Sequence, residues 1–359
     1  MVTPEFWRDR PVFLTGHTGF KGGWLATWLL DLGACVTGYG LTPPTPSYFA
    51  RCGLAGRVTT HFADVRDAAA LQETLASAQP RVVFHLAAQP IVRQSYKAPL
   101  ETIAVNVLGT ATLLEAVRQT PSVEAVVVVT SDKCYENIER RDGYREDDPL
   151  GGHDPYSASK AAAEVIAAAY RRSFFTAGGP RVATVRAGNV IGGGDWAADR
   201  LVPDAMRALV QDQPIRVRNA AAIRPWEHVL EPLGGYLRLA ERLAGSEAFA
   251  GAWNFGPRDV DAVSVGTLAD LIVGQWKGAR WESKAESDPP HEVGLLRLDW
   301  SKARARLGWH PALTLKEAVE LTVDWYRAAA GASTERAMYD LSIAQIRHYQ
   351  ERWRAIQEP

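Results

Sequence analysis

The chain contains few cysteines and has no excess of charge of either sign. Its 359 residues include three cysteines, Cys35, Cys52 and Cys134, too few and too scattered for a disulfide framework or a zinc site. The 40 Lys and Arg residues nearly balance the 41 Asp and Glu residues, for a formal net charge of -1. Because binding to nucleic acid or to an anionic membrane relies on positive charge, we expect neither partner. We also expect no metal and a reducing compartment.

The chain also lacks long apolar runs. No uninterrupted hydrophobic segment reaches the length that crosses a membrane. The first residues, MVTPEFWRDRPVFLTG, lack the basic region and apolar core of a signal peptide. With 47% hydrophobic and 23% charged residues, the composition is that of a globular protein with one large or two coupled domains. These features favour a cytoplasmic protein of enzyme size.

The first half of the chain alternates short β-rich runs with stretches of helical periodicity. The predicted strands are Pro11–Thr15, Cys35–Tyr39, Val58–Phe62, Arg81–Ala87 and Glu124–Thr130. The predicted helices run from about Phe20 to Leu32, Asp67 to Ala78 and Leu100 to Arg118. The strands are almost continuously apolar, as expected when helices cover both faces of a sheet. Repeated β-α-β units predict an α/β fold with a doubly wound, Rossmann-type parallel sheet.

The pattern changes after Asp154. An Ala-rich helix is predicted at Tyr156–Arg172, followed by the strand RVATVRA, and a last helix at roughly Leu315–Ala329. The segments beyond Arg216 are shorter and contain many Trp, Pro and Gly residues. We therefore predict a main domain at residues 1–187 and a smaller lobe at 188–359, with some chain exchange between the two.

The glycine-rich stretch FLTGHTGFKGG follows the first strand and opens the first long helix. Gly16, Gly19 and Gly22 give the spacing G-x-x-G-x-x-G, which permits a tight turn and close approach of a pyrophosphate to the helix N-terminus. An ordinary strand-to-helix turn is the alternative, but the position after strand one favours a dinucleotide site. Strand two ends in TGYGLTPPTP, and the absence of Arg or Lys over residues 37–50 favours NAD over NADP. Asp64 could bind the adenine amine or serve as a carboxylate at a helix N-terminus.

Two further stretches carry reactive side chains. In VVVVTSDKCYEN, Ser131, Asp132 and Lys133 directly follow an apolar strand, which indicates either a capped turn or a reaction site at the carboxyl end of a parallel strand. In DPYSASKAAAE, Tyr156 and Lys160 are four residues apart and share one helix face. We expect the Lys160 ammonium to lower the pKa of Tyr156 toward working pH.

With the glycine-rich stretch and these two reactive stretches in place, the chain resembles the extended short-chain dehydrogenase/reductase family along almost its whole length. The supporting motifs are HLAAQ (His85–Gln89), NVLGT (Asn106–Thr110), RAGNVIGGGDW, WNFGP (Trp253–Pro257) and LDWSKARARLGWHP (Leu298–Pro311). Within that family it most resembles the nucleotide-sugar 4,6-dehydratases, and among them the branch that acts on CDP-D-glucose. The longer stretches GHTGFKGGWL, SDKCYEN and RPWEHVLEPLGGYL (Arg224–Leu237) carry this closer similarity.

The resemblance implies an NAD-dependent hydro-lyase. Hydride leaves C4 of the hexose, water is lost across C5 and C6, and the hydride returns to C6. Ser131 would bind O4 beside the base Tyr156, Asp132 would protonate the departing C6 hydroxyl, and Lys160 would complete the catalytic set. Lys133 occupies the place of the glutamate that removes the C5 proton in the dTDP-glucose relatives. It is either the base itself or a cation that stabilises the enolate, because lysine is ordinarily protonated at neutral pH.

The resemblance also implies the binding residues and the assembly. NAD would be contacted by Gly16, Thr18, Gly19, Phe20, Gly22, Asp64, Val65, Leu86, Ala87, Ala88, Gln89, Tyr156 and Lys160. Candidates for the nucleotide diphosphate are Asn189, Arg200, Arg216, Arg218 and Arg224, since guanidinium groups suit phosphate. The substrate would be a nucleotide sugar, CDP-glucose above others, and the protein a homodimer or a dimer of dimers.

Three other functions are compatible with parts of this pattern. A 4,6-dehydratase of another nucleotide sugar would share every motif. A nucleotide-sugar 4-epimerase would share the fold, the cofactor, Tyr156 and Lys160, but it has no need of Asp132 and Lys133 for water loss. A non-catalytic redox-sensing or scaffold protein could keep the dinucleotide fold, but it would not need the complete set of Ser131, Asp132, Tyr156 and Lys160.

Overall fold

The computed structural model describes residues 2–140, 142–176, 178–284, 295–331 and 333–357. The strands in these ranges are β1 Pro11–Thr15, β2 Cys35–Gly40, β3 Thr59–Phe62, β4 Val82–His85, β5 Ala125–Val129, β6 Arg181–Ala187, β7 Asn189–Ile191, β8 Ile215–Val217, β9 Ile223–His228, β10 Gly251–Phe255, β11 Ala262–Ser264 and β12 Trp281–Ser283. The helices are α1 Pro4–Trp7, α2 Phe20–Asp31, α3 Tyr48–Arg51, α4 Ala68–Ala78, α5 Val92–Lys97, α6 Pro99–Ile103, α7 Gly109–Arg118, α8 Pro155–Ser173, α9 Leu201–Val210, α10 Leu230–Gly245, α11 Val265–Gly274, α12 Ser301–Leu307, α13 Leu315–Ala330 and α14 Glu335–Gln357.

The main sheet has seven strands in the order β10-β6-β5-β4-β1-β2-β3. Every neighbouring pair in it is parallel. The strand order reverses between β1 and β4, so the chain leaves these two strands in opposite directions along the sheet. This is the doubly wound α/β arrangement that the β-α-β repeats predict, and its switch point is where such sheets bind ligands.

Both faces of the central strands β1, β4, β5 and β6 are buried, which explains the continuous apolar character of these strands. Along β1, Val12 and Leu14 pack into the larger apolar core, which also contains Trp24 and Trp28 of α2. Phe13, which lies between them in sequence, packs into a second core on the opposite face. Because successive side chains of a strand point to opposite faces, a strand covered on both sides must be apolar at every position.

The second half of the chain contributes to both lobes. Strand β10 forms one edge of the main sheet beside β6, although it lies far beyond residue 187. Helix α10 packs against β5 and β6. The remaining short strands form two small sheets, β11-β9-β7 and β12-β8, which lie outside the main sheet.

Two predicted helices differ from the structure. The stretch predicted as one helix from Leu100 to Arg118 contains a π-helical segment, Ala104–Leu108, between α6 and α7. Asn106 in that segment accepts a hydrogen bond from the Gln89 backbone and donates to the Ser159 hydroxyl. The helix at Leu315–Ala330 is not the last one, because the 23-residue helix α14 follows it. The apolar stripe of α14 is narrow: Met338, Ile346, Tyr349 and Trp353 are buried, and charged residues lie between them. The amino-acid composition of this segment therefore did not indicate a packed helix.

Candidate active site

A cavity of about 650 Å³ lies at the carboxyl ends of the main-sheet strands. Residues that follow β1, β4, β5 and β6 form one side of it, and residues of the second lobe form the other. All five predicted catalytic side chains line this cavity: Ser131, Asp132, Lys133, Tyr156 and Lys160. Parallel strands end at the same edge of a sheet, so residues far apart in the sequence meet there.

The glycine loop is shaped to admit a ligand close to the backbone. Gly16 has a φ of +73°, and a Cβ on it would lie 2.7 Å from the Ala87 nitrogen. A Cβ on Gly22 would lie 2.1 Å from the Gly16 carbonyl oxygen, so neither position accepts a side chain. Helix α2 begins at Phe20, directly after this turn. The loop therefore presents a bare helix N-terminus to the cavity, which fits a pyrophosphate.

Nearly all the predicted cofactor residues line the cavity. Those that do are Gly16, Thr18, Gly19, Phe20, Gly22, Asp64, Val65, Leu86, Ala87, Ala88, Tyr156 and Lys160. Gln89 is not among the lining residues. Its side chain donates to Thr102 and accepts from the Ile91 backbone, so it holds the loop after β4 in place.

Asp64 lies in the cavity wall and is fixed by Arg66. The Arg66 Nε and its backbone nitrogen each lie 2.9 Å from Asp64 Oδ1. These hydrogen bonds hold the pKa of Asp64 below its ordinary value. The N-cap of α4 is Asp67, which accepts from the Ala70 nitrogen, so Asp64 does not cap that helix. Arg66 was not predicted as a site residue, although it is only two positions after Asp64.

The stretch after β5 is both a capped turn and a cavity wall. Ser131 caps a 3₁₀ turn by accepting from the Lys133 nitrogen at 3.3 Å. Its hydroxyl also donates to Asp132 Oδ1 at 2.9 Å. Asp132 is buried, and burial raises the pKa of its carboxyl. Lys133 is only partly buried and reaches the cavity from the same turn.

Helix α8 carries the other two predicted catalytic side chains in its first turns. Asp154 caps the helix by accepting from the Ser157 nitrogen at 2.9 Å, and Pro155 occupies the first helical position. Tyr156 and Lys160 follow one turn apart, as the spacing predicts. Lys160 Nζ donates to the Val129 carbonyl at 3.2 Å, which ties the helix to the end of β5.

The pKa values of this pair differ from the expectation. Burial raises the pKa of Tyr156 to about 12, and a hydrogen bond with Ser131 opposes this increase. Burial lowers the pKa of Lys160 to about 8, and the charge of Lys21 lowers it further. The expected lowering of the Tyr156 pKa by Lys160 is therefore wrong for this structure. Desolvation of the phenol outweighs the effect of neighbouring positive charge.

The predicted substrate residues lie along the second-lobe side of the cavity. Asn189, Arg200, Arg216, Arg218 and Arg224 all line it. Arg200 is held by Asp195 at 2.9 Å, and Arg218 is held by Asp199 at 3.1 Å. Paired in this way, the two guanidinium groups have fixed orientations at the cavity wall, and guanidinium groups suit the recognition of phosphate.

Sequence reasoning missed a lysine in the glycine loop. Lys21 lines the cavity from the first turn of α2, where a positive charge faces the unfavourable end of the helix dipole. Burial lowers its pKa to about 8, while the charge of Glu227 opposes this decrease. Glu227 lies in β9 and is 3% exposed. The sequence signal that could have indicated Lys21 as a site residue is its position within the glycine-rich stretch GFKGG.

A glycine cradle joined to a Ser-Tyr-Lys group on a doubly wound sheet defines a short-chain dehydrogenase/reductase of the extended type. The chain belongs to the GDP-mannose 4,6 dehydratase family, whose family model matches residues 13–322. It is 50% identical to the CDP-glucose 4,6-dehydratase of Salmonella typhimurium, with 91% of this chain and 93% of that protein covered. It is 26% identical to a dTDP-glucose 4,6-dehydratase of Xanthomonas campestris, with 87% and 92% covered.

Solved structures agree with this placement. An NAD-dependent NDP-hexosamine 5,6-dehydratase from tunicamycin biosynthesis, TunA, superimposes with a TM-score of 0.74 at 26% identity, covering 88% of this chain and 97% of that chain. The UDP-glucose 4-epimerase of Thermus thermophilus in complex with NAD superimposes with a TM-score of 0.76 at 25% identity, covering 89% and 99%.

Proposed function

We propose that the protein converts CDP-D-glucose to CDP-4-keto-6-deoxy-D-glucose, as an NAD-dependent hydro-lyase. One observation carries this proposal. Identity of 50% with the Salmonella CDP-glucose 4,6-dehydratase extends over nearly the full length of both chains. The complete set of Ser131, Asp132, Tyr156 and Lys160 around one cavity supports it, because water loss needs an acid that an epimerase does not need.

The cavity fits NAD. The bare helix N-terminus at Gly16, Gly19 and Gly22 would hold the pyrophosphate, and Asp64 the adenosine end. When bound, NAD supplies the chemistry of accepting a hydride from C4 and returning it to C6. The residues of this chain bind both reactants, orient them and move the protons.

Each of the five catalytic side chains has a distinct role in this reaction. Ser131 and Tyr156 bind O4, and Tyr156 takes its proton as the hydride leaves C4. Asp132 gives its proton to the C6 hydroxyl, which leaves as water. Lys133, which reaches the cavity from the same turn, removes the C5 proton and later returns one to C5. Lys160 holds the start of α8 against β5 through the Val129 carbonyl.

The two parts of the chain divide the substrates between them. Residues 1–187 hold the dinucleotide, and residues 188–359 mainly hold the nucleotide sugar. Asn189, Arg200, Arg216, Arg218 and Arg224 lie on the second side of the cavity and bind the diphosphate. The three cysteines are free thiols, two of them buried, which fits a cytoplasmic enzyme.

The protein assembles as a homodimer or a dimer of dimers through α6, α7 and α8. Helices α6 and α7 and the π-helical segment Ala104–Leu108 between them pack on α8. Together these elements expose Leu100, Ile103, Leu108 and Val165, with Leu100 81% exposed. The stretch Pro99–Arg118 is also long and apolar enough to cross a membrane, but 44% of its most apolar part is buried inside the protein. An apolar face shared by neighbouring helices instead fits a second copy of the same helices.

Sedimentation of paired variants tests this assembly. Leu108→Glu combined with Val165→Glu is expected to give a monomer. Val260→Glu, at an apolar residue that is 74% exposed elsewhere, serves as the matched control and leaves the assembly unchanged. A double variant that sediments like the wild type would contradict this interface.

The substrate is tested by incubating the purified holoenzyme separately with the glucose conjugates of CDP, dTDP, UDP and GDP. We expect the CDP sugar to lose the mass of one water fastest, with no net production of NADH. A product of unchanged mass would indicate an epimerase, and faster conversion of another conjugate would indicate a different nucleotide base.

A further inference from the structure

The turn that carries Asp132 and Lys133 is held only weakly by its own hydrogen bonds. The Lys133 nitrogen lies 3.3 Å from Ser131 Oγ, and the Cys134 nitrogen lies 3.3 Å from the Ser131 carbonyl oxygen. The Tyr135 nitrogen lies 3.4 Å from the Asp132 carbonyl oxygen. All three distances exceed the ordinary range of about 2.7–3.2 Å for such bonds. The position of the turn therefore depends on the groups that anchor its two ends.

The start of the turn is anchored by the main sheet. Thr130 directly follows β5, and its nitrogen donates to the Val185 carbonyl of β6 at 2.9 Å. The Thr130 hydroxyl also donates to Glu164 Oε1 at 2.6 Å. Because Ser131 is the next residue, its position is set by the ends of two neighbouring strands.

The end of the turn is anchored by a phenol. Tyr135 is 1% exposed, and its hydroxyl accepts from Arg186 Nη1 and donates to Asn254 Oδ1, each at 2.7 Å. Burial raises the pKa of this phenol, so it stays protonated and keeps both bonds. The backbone bonds beside it join residues 134 and 136 only to the loop at residues 149–151. The Tyr135 hydroxyl is therefore the link from the end of the turn to the sheet.

Both partners of Tyr135 belong to regular elements of the main domain. Arg186 lies in β6 and pairs with Glu164 of α8, the helix that also carries Tyr156. Asn254 lies in β10, the edge strand beside β6. The ion pair thus receives the start of the turn through Thr130 and its end through Tyr135. This arrangement fixes the turn relative to α8.

We propose that Tyr135 is a positioning residue for water loss, because its hydroxyl holds Asp132 and Lys133 in place relative to α8. The inference rests on the proposed function, in which Asp132 and Lys133 serve water loss and Tyr156 serves oxidation. Tyr135 transfers no proton itself. Since Ser131 is held by the sheet, loss of the Tyr135 hydroxyl shifts the later part of the turn and spares its start. Water loss is therefore impaired more than oxidation.

Tyr144 provides a matched control for this residue. It is 2% exposed, and its ring stacks on Tyr135 with the centroids 5.1 Å apart. Its hydroxyl also makes two hydrogen bonds, donating to Asn137 Oδ1 and accepting from the Ile138 nitrogen, each at 2.8 Å. These bonds hold the chain beyond the turn, and Tyr144 is not among the residues that line the cavity. Phenylalanine at either position keeps the ring and removes two hydrogen bonds of a buried phenol.

The test mixes CDP-glucose with the wild-type, Tyr135→Phe and Tyr144→Phe holoenzymes in a stopped-flow spectrometer. Absorbance follows NADH, and the mass of quenched samples follows water loss. Tyr135→Phe is expected to accumulate NADH and to lose water about 10²-fold more slowly than the wild type, the cost of a displacement of about 1 Å. Tyr144→Phe is expected to match the wild type in both measurements. Urea unfolding is expected to show similar, small losses of stability in the two variants.

Exchange of the C5 proton with deuterated solvent gives a second measurement, and it is expected to slow only in Tyr135→Phe. Water loss at the wild-type rate by Tyr135→Phe, or equal slowing in both variants, would overturn the positioning role. Slow water loss without accumulation of NADH would also overturn it, because the defect would then lie in oxidation. A wild-type enzyme that removes no water from CDP-glucose would overturn the proposed function instead.

Discussion

Glu164 and Arg186 form a buried ion pair, with Arg186 Nη2 2.9 Å from Glu164 Oε2 and both side chains under 5% exposed. Glu164 also accepts from the hydroxyls of Thr130 and Thr184. Burial alone would raise the pKa of Glu164, but the hydrogen bonds and charge of Arg186 hold it below its ordinary value. Glu164 lies one turn after Lys160, so the pair joins helix α8 to the end of strand β6.

Removing one partner of this pair is expected to destabilise the protein strongly. Glu164→Ala leaves the Arg186 guanidinium buried without a counter-charge, which costs about 3–5 kcal/mol of unfolding free energy. Urea denaturation measures this loss. Glu115→Ala, which removes the exposed pair with Arg118, is the matched control and costs about 1 kcal/mol or less. A loss as small as the control's in Glu164→Ala would contradict the role assigned to the pair.

A buried carboxyl gives the stability a defined pH dependence. Glu231 accepts from the Ala312 and Leu313 nitrogens, and burial raises its pKa from 4.5 to about 8. Between these values the folded protein holds a proton that the unfolded chain releases. The contribution of Glu231 is therefore fully present below about pH 4.5 and is lost as the pH rises to about 8.

The variant Glu231→Gln isolates this effect, because the amide oxygen can still accept both backbone hydrogen bonds. The unfolding free energy of the wild type relative to Glu231→Gln is expected to fall by up to about 1.4 kcal/mol per pH unit across that window. Urea unfolding at several pH values measures the difference. If the difference in unfolding free energy does not change with pH, Glu231 has the same pKa in the folded and the unfolded chain, which would contradict this prediction.

Asp132→Asn is expected to stop the reaction after oxidation. The amide cannot protonate the C6 hydroxyl, so NADH and the 4-keto sugar accumulate on the enzyme when CDP-glucose is added. Tyr156→Phe is the contrasting variant, and it is expected to form NADH about 10²–10⁴-fold more slowly than the wild type, with no accumulation on the enzyme. Identical behaviour of the two variants in stopped-flow absorbance would disprove the separate roles.

The role of Lys133 is tested by exchange of the C5 proton with deuterated solvent. As a base, Lys133 must lose its own proton first, so Lys133→Met is expected to slow the exchange by about 10²–10⁴. Lys133→Arg keeps the positive charge but cannot act as a base, and it should be as slow as Lys133→Met. Exchange near the wild-type rate in Lys133→Arg would instead make the residue an electrostatic stabiliser of the enolate.

The fold was readable from the sequence because its signals are local. Continuous apolar strands such as Ala125–Val129, separated by helices of clear periodicity, specify a covered parallel sheet. The positions of Ser131 and Tyr156 followed from motifs at the ends of a strand and the start of a helix. Helix α14 was missed because its buried stripe is narrow and its exposed surface is highly charged.

The pKa values and buried charges of the candidate site could not be predicted from the sequence. The pKa of Tyr156 depends on how deeply the phenol is buried, which is a property of the assembled structure. Lys21 and Glu227 are over 200 residues apart, so their shared buried site is invisible in sequence spacing. Gln89 belongs to the motif HLAAQ, but it hydrogen-bonds to Thr102 and Asn106 and so fixes the loop after β4 instead of lining the cavity. These contacts are seen only in the folded structure.

The central claim is that the hydride removed from C4 returns to C6 of the same sugar. The most direct measurement uses CDP-glucose that carries deuterium at C4, followed by mass and NMR analysis of the product. We expect a product that has lost one water and carries the deuterium in its C6 methyl group, with no net production of NADH. Deuterium that stays at C4 of a sugar of unchanged mass, or that accumulates in free NADH, would contradict it.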